Sequence, residues 1–159
     1  MKTSLAIKMI ICVLICLGVG FAGSFFTAPA IDNWYAQLEK PAFNPPNWLF
    51  APVWTLLYIT MGISAALIWN IGLDSKAVKI ALTVFVFQLI LNFLWTPLFF
   101  GLHLIAAALA EIIVLLAALA VTIYHFSRLS KTAALLLVPY LLWTSFAALL
   151  NAGLWSLNR

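Results

Sequence analysis

The sequence predicts an all-α integral membrane protein, a bundle of five transmembrane helices with a long first loop, in a single domain over residues 1–159. Its composition is the first reason: 66% of the 159 residues are hydrophobic and 8% are charged, whereas a soluble domain has about 25% charged residues. The second reason is five apolar stretches, each close to the roughly 20 residues that a helix needs to cross the hydrocarbon. This composition excludes soluble enzymes, nucleic-acid-binding proteins and disordered chains.

The predicted spans follow one another with short connectors after the second, third and fourth, so sequence neighbours should pack antiparallel. They are Leu5–Phe26, Trp48–Trp69, Ile80–Phe100, Leu104–Tyr124 and Ala133–Trp155. The first span has the basic start of a signal peptide. Its apolar run nevertheless reaches Phe26 and exceeds a typical signal-peptide core of about 7–15 residues. We therefore predict that it is retained as a helix.

Lysine and arginine are unequally shared between the two sides of a five-span chain. One side carries Lys2, Lys8, Lys76, Lys79, Arg128 and Lys131, and the other carries Lys40 and Arg159. In a plasma membrane, the positive-inside rule then places the N-terminus in the cytoplasm and the C-terminus outside. Five spans cannot form two equal inverted halves, which argues against many secondary transporters.

Three spans carry polar and aromatic side chains at intervals of three or four residues, which places each set on one helical face. The faces comprise Trp54, Tyr58, Met61 and Ala65; Gln88, Asn92, Trp95 and Phe99; and Tyr140, Trp143, Ala147 and Asn151. Each face taken alone fits ordinary packing between helices. Most of these residues lie in the outer half of the membrane, beside the connector Thr27–Asn47, which is long enough to form a lid. Together they predict a cavity for a flat, bulky, mostly apolar ligand such as a tetrapyrrole.

Other chemically active residues are few. Glu111 is the single acid inside a span and therefore a functional candidate, although no span offers a basic partner and we favour a structural role. His103 and His125 fall at opposite surfaces and cannot share a metal. We predict no metal site and no firm catalytic residue. Three prolines inside spans, Pro52, Pro97 and Pro139, predict kinks.

The chain closely resembles the TspO/MBR family of tryptophan-rich sensory proteins and translocator proteins, also called peripheral-type benzodiazepine receptors. The similarity extends from Trp34 to Asn151 and is carried by NWYAQLEKPAFNPPNWLFAPVWTLLYITMGISAALIW, NFLWTPLFF and VPYLLWTSFAALLN. It implies a five-helix membrane bundle with a ligand cavity under the first loop. It also implies a receptor or carrier with a regulatory or transport role, for porphyrins, haem-like tetrapyrroles and translocator-protein drugs, with protoporphyrin or haem as ligand and no required cofactor.

The resemblance also implies pocket positions, to which we add Asn151 for a polar contact. They are Tyr35, Pro45, Trp54, Tyr58, Asn92, Trp95, Trp143, Ala147 and Leu150. Two alternatives stay open: an enzyme that degrades protoporphyrin oxidatively in light, with Trp54 and Trp143 at the implicated positions, and a structural scaffold without a ligand. The animal sterol motif needs a Tyr where Ala152 stands.

The expected setting is a bacterial cell membrane, with lipid and a second copy of the chain as partners and no nucleic acid. For the homodimer we expect a face of small residues, because such residues let helices approach closely. The candidates are Cys16, Gly20 and Ser24 on the first span, or Ala106 and Ala110 on the fourth.

Overall fold

A computed structural model describes residues 4–159, and within that range the regular secondary structure is entirely helical. The helices are α1 (Leu5–Ala30, continuing as the π-helical turns Ile31–Tyr35), α2 (Asn47–Ile71), α3 (Lys76–Thr96, continuing as the π-helical turns Pro97–Gly101), α4 (Ile105–Leu129), α5 (Lys131–Leu136) and α6 (Val138–Leu157). Five helical segments are long and apolar enough to cross a membrane, α5 and α6 forming the fifth together. The predicted fold class is confirmed. Lys2, used above for the orientation, lies outside the described residues.

The five segments close into a ring. α1 packs against α2 and α3, α2 packs against α5, and α4 packs against α3, α5 and α6. The core between them contains Met61, Phe85, Leu119 and Tyr140, all of them buried. Many of the large apolar residues of α1 are exposed, as expected for a helix that faces lipid.

The first connector is shorter than predicted. The predicted loop Thr27–Asn47 would begin after Phe26, but α1 and its π-helical turns continue to Tyr35, which leaves residues 36–46 as the connector. Pro29 lies inside this helix and removes one backbone donor. The helix continues because the N–H of Ile31 still donates to the carbonyl of Thr27, and the side chain of Asn33 donates to the carbonyl of Pro29 at 2.8 Å.

The fifth predicted span, Ala133–Trp155, is not one continuous helix. It divides at Leu137, between α5 and α6, and Pro139 lies in the first turn of α6. Proline has no N–H for the carbonyl four residues earlier, so the interruption lies at the expected place. Pro97 begins the π-helical turns after α3, whereas Pro52 lies within an unbroken α2.

α1 and α2 approach closely where Gly62 faces Val13. A Cβ atom at Gly62 would lie 2.5 Å from the Cα atom of Val13. Glycine allows this spacing because it has no side chain, as is common where membrane helices cross. This contact holds the two helices together in the middle part of the bundle, since Gly62 is the 16th of the 25 residues of α2.

Candidate ligand cavity

A cavity of about 550 Å³ lies between the helices at the connector end of the bundle. Sites for small molecules typically measure about 300–1,000 Å³ and are mainly apolar. Aromatic residues form much of the wall, namely Phe21, Tyr35, Phe50, Trp54, Tyr58, Trp95, Phe99 and Phe100. The cavity therefore has the size and surface of a site for a flat apolar molecule.

All but two of the predicted pocket positions line this cavity. Those that do are Tyr35, Trp54, Tyr58, Asn92, Trp95, Ala147, Leu150 and Asn151. Pro45 belongs to the connector and is not among the lining residues. Trp143 also stands outside the lining, where its ring centroid is 6.0 Å from that of Phe50 and 5.5 Å from that of Phe146. Phe50 does line the cavity, so Trp143 contacts a residue of the cavity wall without lining the cavity itself.

A chain of buried hydrogen bonds connects three of the helices beneath the cavity. The hydroxyl of Tyr58 on α2 donates to Oδ1 of Asn92 on α3 at 2.6 Å. Nδ2 of Asn92 donates to the hydroxyl of Tyr140 on α6 at 2.9 Å, and this hydroxyl donates to Oε1 of Gln88 at 2.9 Å. The three predicted faces therefore meet through their polar groups, as amides and hydroxyls buried in a membrane protein require.

A second set of hydrogen bonds fixes another part of the cavity wall. Nε1 of Trp95 donates to Oδ1 of Asn151 at 3.1 Å, and Nδ2 of Asn151 donates to the carbonyl of Ile105 at 2.9 Å. The Trp95 ring stacks on Phe99 with centroids 4.9 Å apart and planes 13° apart. The indole is thus held in one orientation before any ligand arrives, which lowers the entropic cost of binding.

The connector is fastened to the end of α6. Oδ1 of Asn158, which follows α6, accepts a hydrogen bond from the N–H of Glu39 at 3.0 Å, and its Nδ2 donates to the carbonyl of Glu39 at 2.9 Å. Near this contact, a Cβ atom at Gly153 would lie 3.1 Å from Pro41. The connector, which we call the lid, therefore rests directly on α6 at the end of the bundle where the cavity lies.

The remaining functional candidates lie elsewhere. The Lys40 ammonium group donates to the carbonyl of Leu38 at 3.1 Å and lies 4.9 Å from the Tyr35 ring centroid. Glu111 does not line the cavity, and its buried carboxyl oxygens have no hydrogen-bond partner within residues 4–159. His103 stacks on Trp34 at 4.2 Å. In the described part of the chain, no group of His, Cys, Asp and Glu is arranged to hold a metal.

Sequence reasoning missed several lining residues. Phe50 is one turn before Trp54 on the face already identified, so the same spacing of four would have found it. Thr27 and Ile31 were missed because α1 was expected to end at Phe26. Ser24 was missed because an apolar helix without polar periodicity does not indicate which side faces a cavity.

The two candidate dimer faces differ in exposure. Cys16 is buried in the core, and Gly20 faces the ring of Tyr58 in the same chain. Of the first set, Ser24 remains exposed, and on α4 both Ala106 and Ala110 are exposed. The homodimer stays a prediction, and these exposures favour the α4 face.

Comparison with known proteins supports the resemblance stated above. The model of the TspO/MBR family matches residues 12–156. The chain is 48% identical over 152 residues to tryptophan-rich protein TspO of Archaeoglobus fulgidus, covering 96% of this chain and 97% of that protein. It is 43% identical to the protein of the same name from Chlorobaculum tepidum, covering 96% of each. It is 39% identical over 141 residues to the human translocator protein, covering 87% of this chain and 83% of that one.

Proposed function

The chain belongs to the TspO/MBR family and is an integral membrane protein, and from this premise we propose that it is a receptor or carrier for porphyrins and related tetrapyrroles. Protoporphyrin or haem is the proposed ligand, and drug-like ligands of translocator proteins compete for the same cavity. The proposed role is regulation or transport, in keeping with relatives named as a sensory protein and as translocator proteins.

The observation that carries this proposal is the aromatic cavity of about 550 Å³ at the connector end of the bundle. A porphyrin is a flat aromatic disc, and it would bury most of its area against rings such as Trp54, Phe50 and Phe99, which line the space. Each square ångström of apolar surface removed from water contributes about 25 cal/mol, and stacking adds about 0.5–1.5 kcal/mol per aromatic pair. Shape and apolar contact therefore supply the affinity, with few polar contacts needed.

A titration tests the proposal. Purified protein in lipid nanodiscs is titrated with protoporphyrin, and binding is followed by tryptophan quenching and by calorimetry, with empty nanodiscs as the control. We expect saturation at one porphyrin per chain and displacement by an isoquinoline carboxamide. A signal that rises linearly, as in empty nanodiscs, would refute a porphyrin site and favour the scaffold alternative.

The arrangement of redox-active rings supports a second candidate function, an enzyme that degrades protoporphyrin oxidatively in light. Trp54, in the cavity wall, lies 5.7 Å from the Tyr58 ring and 6.2 Å from the Tyr140 ring, centroid to centroid. A tryptophan in this position could donate an electron to a light-excited porphyrin. To test this alternative, one sample of protein with protoporphyrin is kept in the dark and a second is illuminated. The products in both samples are identified by mass spectrometry. Turnover beyond one equivalent in light would favour the enzyme, and equal loss of protoporphyrin in the dark and in light would exclude it. Trp54→Phe and Trp143→Phe then show which tryptophan is needed.

For the setting, we propose a bacterial cell membrane with the N-terminus in the cytoplasm. The Lys and Arg bias supports this orientation, and it places the lid and the cavity end outside. A reporter active only in the cytoplasm, fused after Arg159, should be silent, and one fused in the connector Gly72–Ser75 should be active. The reverse pattern would overturn the orientation.

A further inference from the structure

Some residues that line the cavity are also exposed on the outer surface of the bundle, and they lie together where α1 faces α2. Phe21 and Ser24 belong to α1, and Ala51 and Thr55 to α2. All four line the cavity and are exposed, Phe21 by 68%. Residues that contact both an interior space and the surroundings mark an opening, so the cavity opens sideways between these two helices.

The opening lies at the depth of the membrane hydrocarbon. α2 has 25 residues and is about 37 Å long at 1.5 Å per residue, compared with about 30 Å for the hydrocarbon. Ala51 and Thr55 are about 6 and 12 Å from its start. With the midpoint of α2 at the centre of the membrane, both residues therefore lie within the hydrocarbon and face lipid, not water.

The two helices are in close contact on the side of the opening remote from the connector. Gly62 meets Val13 there, and Gly20 lies against the ring of Tyr58 one turn nearer the connector. Nearer still to the connector, Phe21 and Ser24 of α1 and Ala51 and Thr55 of α2 line the cavity. The opening therefore lies on the connector side of these close contacts.

Two neighbouring seams of the bundle are filled by side chains at this level. Between α2 and α6, Phe50 packs on Trp143, and Phe43 of the connector packs on Phe146 at 6.3 Å. Between α1 and α3, Phe26 packs on Phe93 at 6.4 Å. The connector itself is held on α6 by the paired hydrogen bonds of Asn158 with Glu39. These two seams are therefore occupied by aromatic rings, whereas the opening along α2 extends to its connector end, where Asn47, the first residue of α2, also lines the cavity and is exposed.

The edges of the opening suit passage of an apolar molecule. The Ser24 hydroxyl donates to the carbonyl of Phe21 at 2.6 Å, and the Thr55 hydroxyl donates to the carbonyl of Ala51 at 2.8 Å. Each hydroxyl thereby satisfies its donor within its own helix, as polar groups at lipid-exposed positions must. What remains at the edge is small side chains and the movable pair Phe21 and Phe25, whose rings are 5.1 Å apart.

We propose that the ligand enters and leaves the cavity sideways, directly from the hydrocarbon, between Phe21 and Ser24 on α1 and Ala51 and Thr55 on α2. The ligand class is a flat, apolar molecule that partitions into lipid before it is bound, and the inference rests on the proposed function. Exchange from the water side, past the connector, is then the minor route.

The test compares exchange rates in variants that narrow the opening with rates in variants that release the lid. Ser24→Trp and Thr55→Trp add bulk at the edges. Leu14→Trp and Leu56→Trp add the same ring at positions exposed by 63% and 61% that do not line the cavity, and they serve as matched controls. Protoporphyrin loaded in lipid vesicles is mixed rapidly with protein in nanodiscs, and tryptophan quenching gives association and dissociation rates.

We expect both edge variants to slow association and dissociation together by about tenfold, the effect of 1.4 kcal/mol on a barrier, while both controls exchange like the parent. Slower dissociation is diagnostic, because a ring that merely damaged the cavity would speed ligand release. Asn158→Ala should leave the rates unchanged. The proposal is overturned if the folded edge variants exchange at parental rates, or if Asn158→Ala alone accelerates exchange. Absence of saturable binding in the parent would instead overturn the proposed function.

Discussion

The hydroxyl of Tyr140 accepts a hydrogen bond of 2.9 Å from Nδ2 of Asn92, and the same amide holds Tyr58 through its oxygen at 2.6 Å. One asparagine side chain thus connects α2, α3 and α6 in the interior of the bundle. In a low-dielectric interior, such a bond costs more to leave unmade than it contributes when made. The floor of the cavity therefore depends on this network for its shape.

Removing the Tyr140 hydroxyl should destabilise the protein. Tyr140→Phe leaves Nδ2 of Asn92 without its acceptor and Oε1 of Gln88 without its donor, so we expect unfolding to become easier by about 1–3 kcal/mol. Tyr124→Phe makes the same chemical change at a side chain that is 61% exposed, and it should alter stability by less than about 0.5 kcal/mol. Denaturation in mild detergent measures both variants. Equal stability of the two would show that the network contributes nothing.

The contact between α1 and α2 predicts opposite effects at two glycines. Gly62→Ala forces a Cβ atom to within 2.5 Å of the Val13 backbone, so the helices must separate, at a cost of about 1–3 kcal/mol. At Gly18 nothing lies within 4 Å of an added Cβ atom, and Gly18→Ala should stabilise the helix by about 0.5–1 kcal/mol. Thermal unfolding of the two variants checks this, and similar melting temperatures would contradict it.

Residue type and periodicity predicted the number of spans and the three polar faces well, because a membrane helix must be apolar outside and can be polar only inside. They could not predict how close each side chain comes to the cavity at the centre of the bundle. Trp143 shares a face with Tyr140 and Ala147, yet it contacts Phe50 and does not line the cavity. A spacing of three or four residues identifies a helical side and does not show what the neighbouring helix inserts there.

The lid illustrates a second limit. The apolar run that defined the first span ends at Phe26, whereas helical hydrogen bonding continues at Ile31, so the length of the connector was overestimated. The contact of Asn158 with Glu39 joins residues 119 positions apart. No local pattern reports such a contact, because it depends on where two helix ends meet in space.

The hydrogen bonds between Asn158 and Glu39 also predict how strongly the backbone amides of the lid are protected from hydrogen exchange. Asn158→Ala removes the acceptor of the Glu39 N–H and the donor to its carbonyl, so local opening of residues 36–46 should become easier by about 1 kcal/mol. We expect roughly fivefold faster hydrogen exchange in this connector, since 1.4 kcal/mol corresponds to tenfold. Mass spectrometry of its peptides measures this.

Asn70→Ala is the control for that experiment, because Asn70 bonds Lys8 near the C-terminal end of α2. It should leave exchange in the connector unchanged. If connector exchange in Asn158→Ala equals that of the parent and of Asn70→Ala, the lid is held by other contacts.

The positions of the tryptophans predict a ranking of ligand affinities. Trp54 lines the cavity, and Trp143 contacts Phe50 without lining the cavity. Trp54→Ala removes a stacking surface and its buried area, so protoporphyrin binding should weaken by tenfold or more, about 1.4 kcal/mol. Trp143→Ala should weaken it less, because the loss reaches the ligand only through movement of Phe50. Trp155→Phe, at the rim of the bundle, should have almost no effect.

Calorimetry gives the affinities independently of fluorescence, which these variants change by themselves, and Trp54→Phe and Trp143→Phe test whether an aromatic ring alone restores binding. Rescue by Trp54→Phe would indicate stacking at the cavity wall. If Trp143→Ala weakened binding more than Trp54→Ala in folded protein, the ligand would have to displace Phe50 and reach the second layer. The binding site would then differ from the cavity seen without ligand.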